Sequence, residues 1–165
     1  MSCKVPVLFI FWKRPEISAR VFEAIRAYRP EHLYLAGDGT VEGDRKLSQA
    51  VEVTRSSLLS MINWDCEVKC KFEPLNLGCK NGVSTAIDWF FENEKMGIIL
   101  EEDCLPSSSF MVFAQTNLHH YKDDDEIGCI TGVNFQDGLR RNNADFYFSK
   151  YNHCWGWASW KRAWV

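Results

Sequence analysis

The chain has 165 residues, of which 46% are hydrophobic and 14% aromatic, as is typical of one globular domain with a substantial core. The formal net charge is -3 and the basic residues are spread singly along the chain, which argues against nucleic acid as the main partner. The first apolar run is too short for a membrane span, and no signal-peptide cleavage pattern follows it. We therefore expect a single domain over residues 1–165, in the cytoplasm.

The chain begins with strand and helix patterns that alternate. A near-continuous apolar run at 5–11 predicts a strand buried on both faces, and apolar residues at helical spacing follow from Pro15 until Pro30. The next predicted elements are a strand at 32–36, a helix at 45–61, a strand at 66–72, a helix with apolar residues from Val83 to Phe91, and a strand from Gly97. This alternation predicts a Rossmann-like three-layer α/β sandwich, with a mostly parallel sheet and helices on both faces.

The remainder of the chain predicts fewer regular elements. They are a helix from about Pro106 to Tyr121, a solvated acidic turn at 123–126, a strand at 127–131 and a short strand at 146–148. The tryptophan-rich segment 155–165 reads as a helix for which Ser159 is a credible cap. Because that helical pattern stops within a turn or two, we expect the chain to be truncated at its carboxyl end.

Seven cysteines at irregular spacing predict reduced thiols and no disulfide framework. Cys66 and Cys70 suggest a zinc pair as an alternative. Further ligands for such an ion are available at His119, His120, His153 and Cys154. However, the two cysteines share one face of a predicted strand four residues apart, which is too distant to chelate one ion easily. The spacing therefore argues against structural zinc.

The apolar run Ile98–Leu100 ends in three consecutive carboxylates, Glu101, Glu102 and Asp103. Ligands of open α/β sheets bind at the carboxyl ends of the strands, so these acids are expected to face a ligand. A hard divalent cation would relieve their mutual repulsion, and a metal that also contacts phosphates is the natural interpretation. The alternative is a solvated acidic turn before the next helix, where the helix dipole favours acids.

Three other predicted strand ends carry groups that suit a nucleotide. Trp12 offers a stacking face, and Lys13 and Arg14 place two cations beside a helix start. Asp38 lies between two glycines and is able to accept a hydrogen bond from a base N–H or a ribose hydroxyl, although Gly-Asp-Gly is commonly only a turn. Lys80 lies where a helix begins, within reach of a phosphate.

Together these groups predict a nucleoside diphosphate as the ligand. The sequence contains neither a glycine-rich phosphate loop of the Walker type nor a dinucleotide fingerprint. The phosphates are therefore expected to be held through a cation on acidic residues. The chemical use of such a cation is to neutralise a leaving diphosphate while the bond to it breaks.

Five stretches in order resemble one known family. They are PVLFIFWKRP at 6–15, AGDG at 36–39, NLGCKN at 76–81, IILEEDCLP at 98–106 and YFSKYNHCWGWASWKRAW at 147–164. The chain resembles the nucleotide-diphospho-sugar transferases of the GT-A fold, most closely a bacterial haemolytic-protein-like group and more distantly the N-acetylglucosaminyltransferases. The resemblance implies a metal-dependent transfer of sugar from a nucleotide-diphospho-sugar donor to a hydroxyl of a saccharide or other acceptor.

The resemblance also implies roles for individual residues. Asp103 would bind Mn2+ or Mg2+, while Glu102 would contact the ribose and Glu101 the donor sugar. Glu102 stands where the family commonly has the shorter Asp, which is a departure from its acidic triplet. By the same similarity Asp38 would bind the base, with Arg14 near the nucleotide. Lys80 would lie near the diphosphate.

The last matching stretch implies the acceptor side of the site. In the family, the segment matching Trp155, Gly156 and Trp157 helps to wall the pocket for sugar and acceptor; core packing is the alternative role. The catalytic base of relatives lies beyond the position of Val165, so no catalytic residue is predicted here. Two other functions remain open: a non-catalytic nucleotide-sugar-binding module, and a carbohydrate-binding or interaction protein that uses exposed aromatic residues near the carboxyl end.

Overall fold

The computed structural model describes residues 4–136, 138–139 and 143–164. The strands in these ranges are β1 (Val7–Phe11), β2 (His32–Gly37), β3 (Glu67–Phe72), β4 (Met96–Glu101), β5 (Cys129–Thr131) and β6 (Trp157–Trp160). The helices are α1 (Pro15–Tyr28), α2 (Arg45–Ser60), α3 (Gly78–Asn93), α4 (Ser108–His120) and α5 (Lys161–Trp164). In the described part of the chain, no helix is long and apolar enough to cross a membrane.

The strands form one mixed sheet in the order β3-β2-β1-β4-β6-β5. The first four are parallel to one another, and β6 runs antiparallel to both of its neighbours. This architecture confirms the predicted α/β class with a mostly parallel sheet.

The core lies on both faces of the sheet because side chains of the buried strands alternate between them. Along β1, Val7, Phe9 and Phe11 pack on the face covered by α1, α2 and α4. Leu8 packs on the opposite face, against Phe90 and other residues of α3. Full burial of such a side chain contributes roughly 1.5–3 kcal/mol. A strand buried on both sides therefore reads as the continuous apolar run seen in the sequence.

Local signals set the ends of the helices. Pro15 begins α1, which ends where Arg29 adopts a left-handed conformation with φ of 57°, just before Pro30. The Asp44 side chain caps α2 by accepting a hydrogen bond from the backbone N–H of Leu47. Ser107 caps α4 in the same way, so this helix begins at Ser108 and not near Pro106.

Two predictions for the carboxyl-terminal third are wrong. Residues 146–148 form no strand. In the segment 155–165 predicted as a helix, Trp157–Trp160 form β6, and among the described residues only Lys161–Trp164 are helical. Ser159 caps no helix: it is buried in β6 and its hydroxyl donates to the carbonyl of Gly128 at 2.7 Å. The physical reason is that β6 pairs with the edge of β4, an interaction between distant residues that overrides local helical spacing.

Candidate functional site

The carboxyl ends of β1, β2 and β4 bring most of the predicted site residues to one edge of the sheet, which we call the carboxyl edge. Ile10 of β1 lies beside Glu101 of β4, and Phe11 lies beside Gly37 of β2. The loops that follow these strands therefore start side by side. Trp12 and Arg14 leave β1, Asp38 leaves β2, and the acidic triplet 101–103 leaves β4.

Glu102 points inward and joins β4 to the start of α1. It is only 6% exposed. Its carboxylate accepts hydrogen bonds from Arg14 Nε at 2.6 Å, from the Ser18 hydroxyl at 2.8 Å and from the Trp12 backbone N–H at 3.1 Å. These partners account for the burial of the charge, and the predicted contact of Glu102 with a ribose stays a prediction.

Arg14 connects the inward acid of the triplet with an outward one. Its Nη2 donates to Asp103 Oδ2 at 3.0 Å while its Nε is bonded to Glu102. The hydrogen bond to Glu102, followed by that to Asp103, raises the pKa of Arg14. The Asp103 side chain is 57% exposed, so the carboxylate retains access to solvent. A cation that binds Asp103 would have to compete with Arg14.

Glu101 is the acid of the triplet that carries a perturbed pKa. Burial raises its pKa, and the charges of Asp103 and Glu102 raise it further. Within the described ranges, no hydrogen-bond or ion-pair partner of its carboxylate is found. By alternation from Ile99, its side chain is on the α3 face of the sheet. A half-buried carboxylate of this kind is stabilised when a cation or a hydroxyl donor approaches it.

Asp38 is held by the loop between β3 and α3. Its Oδ1 accepts from the backbone N–H groups of Gly39 and Leu77, each at 2.8 Å, and its Oδ2 accepts from the Asn76 amide at 2.8 Å. A carboxylate oxygen accepts two hydrogen bonds, so Oδ2 keeps one acceptor position. Gly82 lies close to Oδ2 and carries no side chain; a Cβ at Gly82 would lie 3.5 Å from Oδ2. Sequence reasoning had found Asp38 but not its partner Asn76.

The cationic and aromatic groups of the first loop lie at the same edge. Trp12 donates its indole N–H to the carbonyl of Gly39 at 2.8 Å, and the ammonium of Lys13 lies 3.8 Å from the centre of the Trp12 ring. The loop after β1 therefore contacts the loop after β2, at the residue that follows Asp38. Gly39 is required there, because a Cβ would lie 2.5 Å from the backbone of Leu75. Lys80 is exposed in the first turn of α3.

A cavity of about 460 Å³ opens beside the acidic triplet. Asp103, Trp155 and Gly156 are among the residues that line it. Trp155 is 64% exposed and packs edge-on against Phe135 at 5.6 Å. Gly156 has a φ of 73°, a conformation that side chains rarely adopt, so it needs to be glycine. Two of the three residues predicted to wall a sugar pocket thus line the same cavity as the candidate metal residue.

Trp157, the third of these residues, belongs to β6 and is not part of that cavity wall. The centre of its ring lies 6.1 Å from the centre of the Trp164 ring, and the side chain packs against the core on the α3 face. It also borders a wider groove of about 1060 Å³, along which Phe146, Phe148 and Tyr151 are found. Core packing and a pocket wall therefore both describe this residue.

The described residues contain no group of three or more His, Cys, Asp or Glu side chains arranged to hold a metal ion by themselves. The zinc alternative thus gains no support from the structure. All the described cysteines are free thiols. Mg2+ and Mn2+ do not need three or more protein ligands, because they bind to one or two carboxylates together with waters and substrate phosphates. The exposed Asp103 fits that kind of site.

Two contacts of the site lie beyond what the sequence motifs indicated. Ser18, the fourth residue of α1, is completely buried against Glu102. The period-two alternation of β4 would have found the direction of Glu102, since it places Glu102 on the face opposite Glu101. Arg55 of α2 also reaches the carboxyl edge and contacts the carbonyl of Asp38 at 3.1 Å.

No protein-family model matches this chain, and no curated protein is significantly similar to it.

Proposed function

We propose that this chain is a GT-A fold glycosyltransferase domain that binds a nucleotide-diphospho-sugar through a divalent cation and transfers its sugar to a hydroxyl of a saccharide or other acceptor. One observation carries the proposal: Asp103 is exposed beside an open cavity, next to Glu101, whose carboxylate has a raised pKa and no partner among the described residues. Concentrated negative charge at a strand end favours a cationic group of the ligand.

The residues present fit Mn2+ or Mg2+ shared with a diphosphate. Asp103 would hold the ion, with phosphate oxygens and waters as the other ligands. When bound, the ion supplies charge neutralisation for the leaving diphosphate. Arg14 and Lys80 would add positive charge to the phosphate side, and Glu101 would accept a hydrogen bond from a sugar hydroxyl.

The contacts of Asp38 favour particular bases. Its carboxylate only accepts hydrogen bonds, and one acceptor position on Oδ2, which lies near Gly82, has no donor among the described residues. Uracil and guanine carry a ring N–H on their pairing edge, whereas adenine and cytosine carry a ring acceptor there, beside a donating amino group, and this ring acceptor would repel the carboxylate. Asp38 would therefore favour a uridine or guanosine donor, with Trp12 alongside the base.

Calorimetric titration of UDP and of GDP, with and without Mn2+, tests the proposal. The wild-type protein should bind at least one of them only when Mn2+ is present. Asp103→Asn should weaken this binding at least about tenfold, because the variant loses the charged metal ligand. Asp123→Asn is the matched control, since Asp123 is an exposed acid paired only loosely with Lys122 at 3.8 Å. Absence of Mn2+-dependent binding in the wild type, or equal binding by Asp103→Asn, would overturn the proposal.

Exposed aromatic residues favour a second candidate, a carbohydrate-binding surface that needs no nucleotide. Phe146, Phe148 and Tyr151 are exposed along the groove of about 1060 Å³. Aromatic faces are common contact surfaces for partly apolar ligands. Oligosaccharide binding without Mn2+ and nucleotide, lost in a Phe148→Ala and Tyr151→Ala double variant, would favour this candidate over the first.

A further inference from the structure

Arg55 extends from α2 to the carboxyl edge and is 14% exposed. A single nitrogen, Nη2, donates to the carbonyls of Glu73 at 2.7 Å, Asp38 at 3.1 Å and Gly37 at 3.4 Å. The guanidinium also lies 4.9 Å from the centre of the Phe72 ring. One cation therefore joins the carboxyl ends of two strands, β2 and β3.

We propose that Arg55 is a positioning residue that fixes Asp38 in the orientation needed to recognise a nucleobase. This inference rests on the proposed function, and it assigns to α2 a role in selecting the donor. Arg55 itself would not contact the nucleotide.

The bonds around Asp38 show what Arg55 adds. The Asp38 backbone N–H donates to Phe11 of β1 at 3.1 Å, and the carboxylate is held by the loop before α3, partly through the N–H of Leu77. The carbonyl of Asp38 faces Arg55. Without the guanidinium, the peptide that follows Asp38 would keep the hydrogen bond from the Gly39 N–H to the carboxylate but would lose the anchor of its carbonyl, so the open acceptor position on Oδ2 would be held less firmly in its direction.

One nitrogen of Arg55 has no hydrogen-bond partner in the described part of the chain, which indicates that a contribution to stability alone does not explain why an arginine is present at this position. Its Nε is buried without a hydrogen-bond partner among the described residues. A buried donor left unpaired costs about 1–3 kcal/mol of stability, and an apolar side chain at this position would avoid that cost. Lysine offers a point charge instead of a planar fork and cannot reproduce both the carbonyl contacts and the stacking on Phe72.

Arg162 provides a matched control in the same fold. Its Nη2 donates to the carbonyls of Tyr121 at 2.9 Å and Ile127 at 3.1 Å, and its guanidinium lies 4.5 Å from the centre of the Trp160 ring. The chemistry thus repeats that of Arg55. Arg162 belongs to α5, away from the residues of the carboxyl edge.

The test compares Arg55→Met with Arg162→Met in urea unfolding and in calorimetry with three probes: UDP, GDP and inorganic pyrophosphate, each with Mn2+. Both variants should lose similar stability. Only Arg55→Met should weaken binding of the preferred nucleoside diphosphate, by at least about tenfold, while its affinity for pyrophosphate stays within twofold of wild type. Arg55→Lys should recover part of the loss. Equal weakening toward pyrophosphate, or nucleotide affinity unchanged in Arg55→Met, would overturn the inference.

Hydrogen exchange of the Leu77 amide, which donates to the Asp38 carboxylate, measures without any ligand how firmly Arg55 holds Asp38 in place. Exchange should be faster in Arg55→Met than in Arg162→Met, measured under conditions where both remain folded. If Arg55→Met does not fold, Arg55→Lys takes its place in both measurements. A wild-type protein that binds no nucleotide would overturn the proposed function, whereas unchanged Leu77 exchange would overturn the role of Arg55.

Discussion

The carboxylates at the carboxyl edge of the sheet differ in their bonding from those at the opposite edge, where the parallel strands begin and which we call the amino edge. At the amino edge, Glu94 accepts hydrogen bonds from His32 at 2.7 Å and from the Tyr34 hydroxyl at 2.8 Å, and Glu67 has Lys69 at 3.5 Å. Each of these acids has a partner. At the carboxyl edge, Glu102 and Asp103 share one arginine, Arg14, and no partner of the neighbouring Glu101 carboxylate is found among the described residues.

This difference distinguishes the carboxylates that stabilise the fold from those that are available to bind a ligand. The acids of the amino edge and Glu102 are accounted for by their own hydrogen bonds, as buried or partly buried polar groups should be. Glu101 and Asp103 are not satisfied to the same degree. Substitutions at the two edges should therefore differ in what they damage: stability where partners exist, and ligand binding where they do not.

The largest effect on stability is expected for Glu102→Ala. Removal of the carboxylate leaves the Ser18 hydroxyl and the Trp12 N–H without their acceptor, and it removes one of the two acidic partners of Arg14. We expect a loss of about 2–4 kcal/mol in the free energy of unfolding, measured in urea. A loss below about 1 kcal/mol would show that Glu102 does not tie β4 to α1.

A smaller loss, about 1 kcal/mol, is expected for Glu94→Gln, which keeps the shape but removes the charge. Burial raises the pKa of Tyr34, and the hydrogen bond to Glu94 raises it further. The substitution should therefore lower the pKa of Tyr34, as measured by ultraviolet absorbance titration of the tyrosine. An unchanged titration would mean that burial alone determines this pKa.

Asp103→Asn should change the free energy of unfolding by less than about 0.5 kcal/mol, because the ion pair with Arg14 is exposed. The 3.0 Å contact joins side chains that are 43% and 57% exposed. Urea unfolding without metal measures this change. A stability loss as large as that of Glu102→Ala would place Asp103 with the structural acids and remove the contrast within the triplet.

The smallest effect, and one of opposite sign, is expected for Glu101→Gln. Because the pKa of Glu101 is raised in the folded protein, its ionised form destabilises the fold at neutral pH. The substitution should therefore raise the melting temperature at neutral pH. This gain should disappear as the pH falls through the raised pKa, since wild-type Glu101 then takes up its proton. A gain that persists in acid would have another cause.

The parallel part of the sheet was predictable because its signals are local. An apolar run such as 7–11, a proline at the first position of α1 and the Asp44 cap each act within a few residues. The position of the acidic triplet followed from the same pattern. The inward direction of Glu102 needed the alternation of β4 to be extended by one residue beyond the strand.

The region from 146 to 164 was harder because distant pairings determine it. The tryptophans of this segment fit a helix as well as a strand, and pairing with the distant strands β4 and β5 selects the strand. The guanidinium of Arg55 bonds to carbonyls 17 and 18 residues away in sequence. No local pattern marks such a contact.

The position of β6 in the sheet has a consequence for folding order. It follows the other strands in the chain, yet it lies between β4 and β5. The backbone of β4 therefore exposes an unpaired edge during synthesis until β6 emerges, and closing that pair joins residues far apart in sequence. The parallel half is able to form early, while β5 acquires its neighbour only when this late strand inserts.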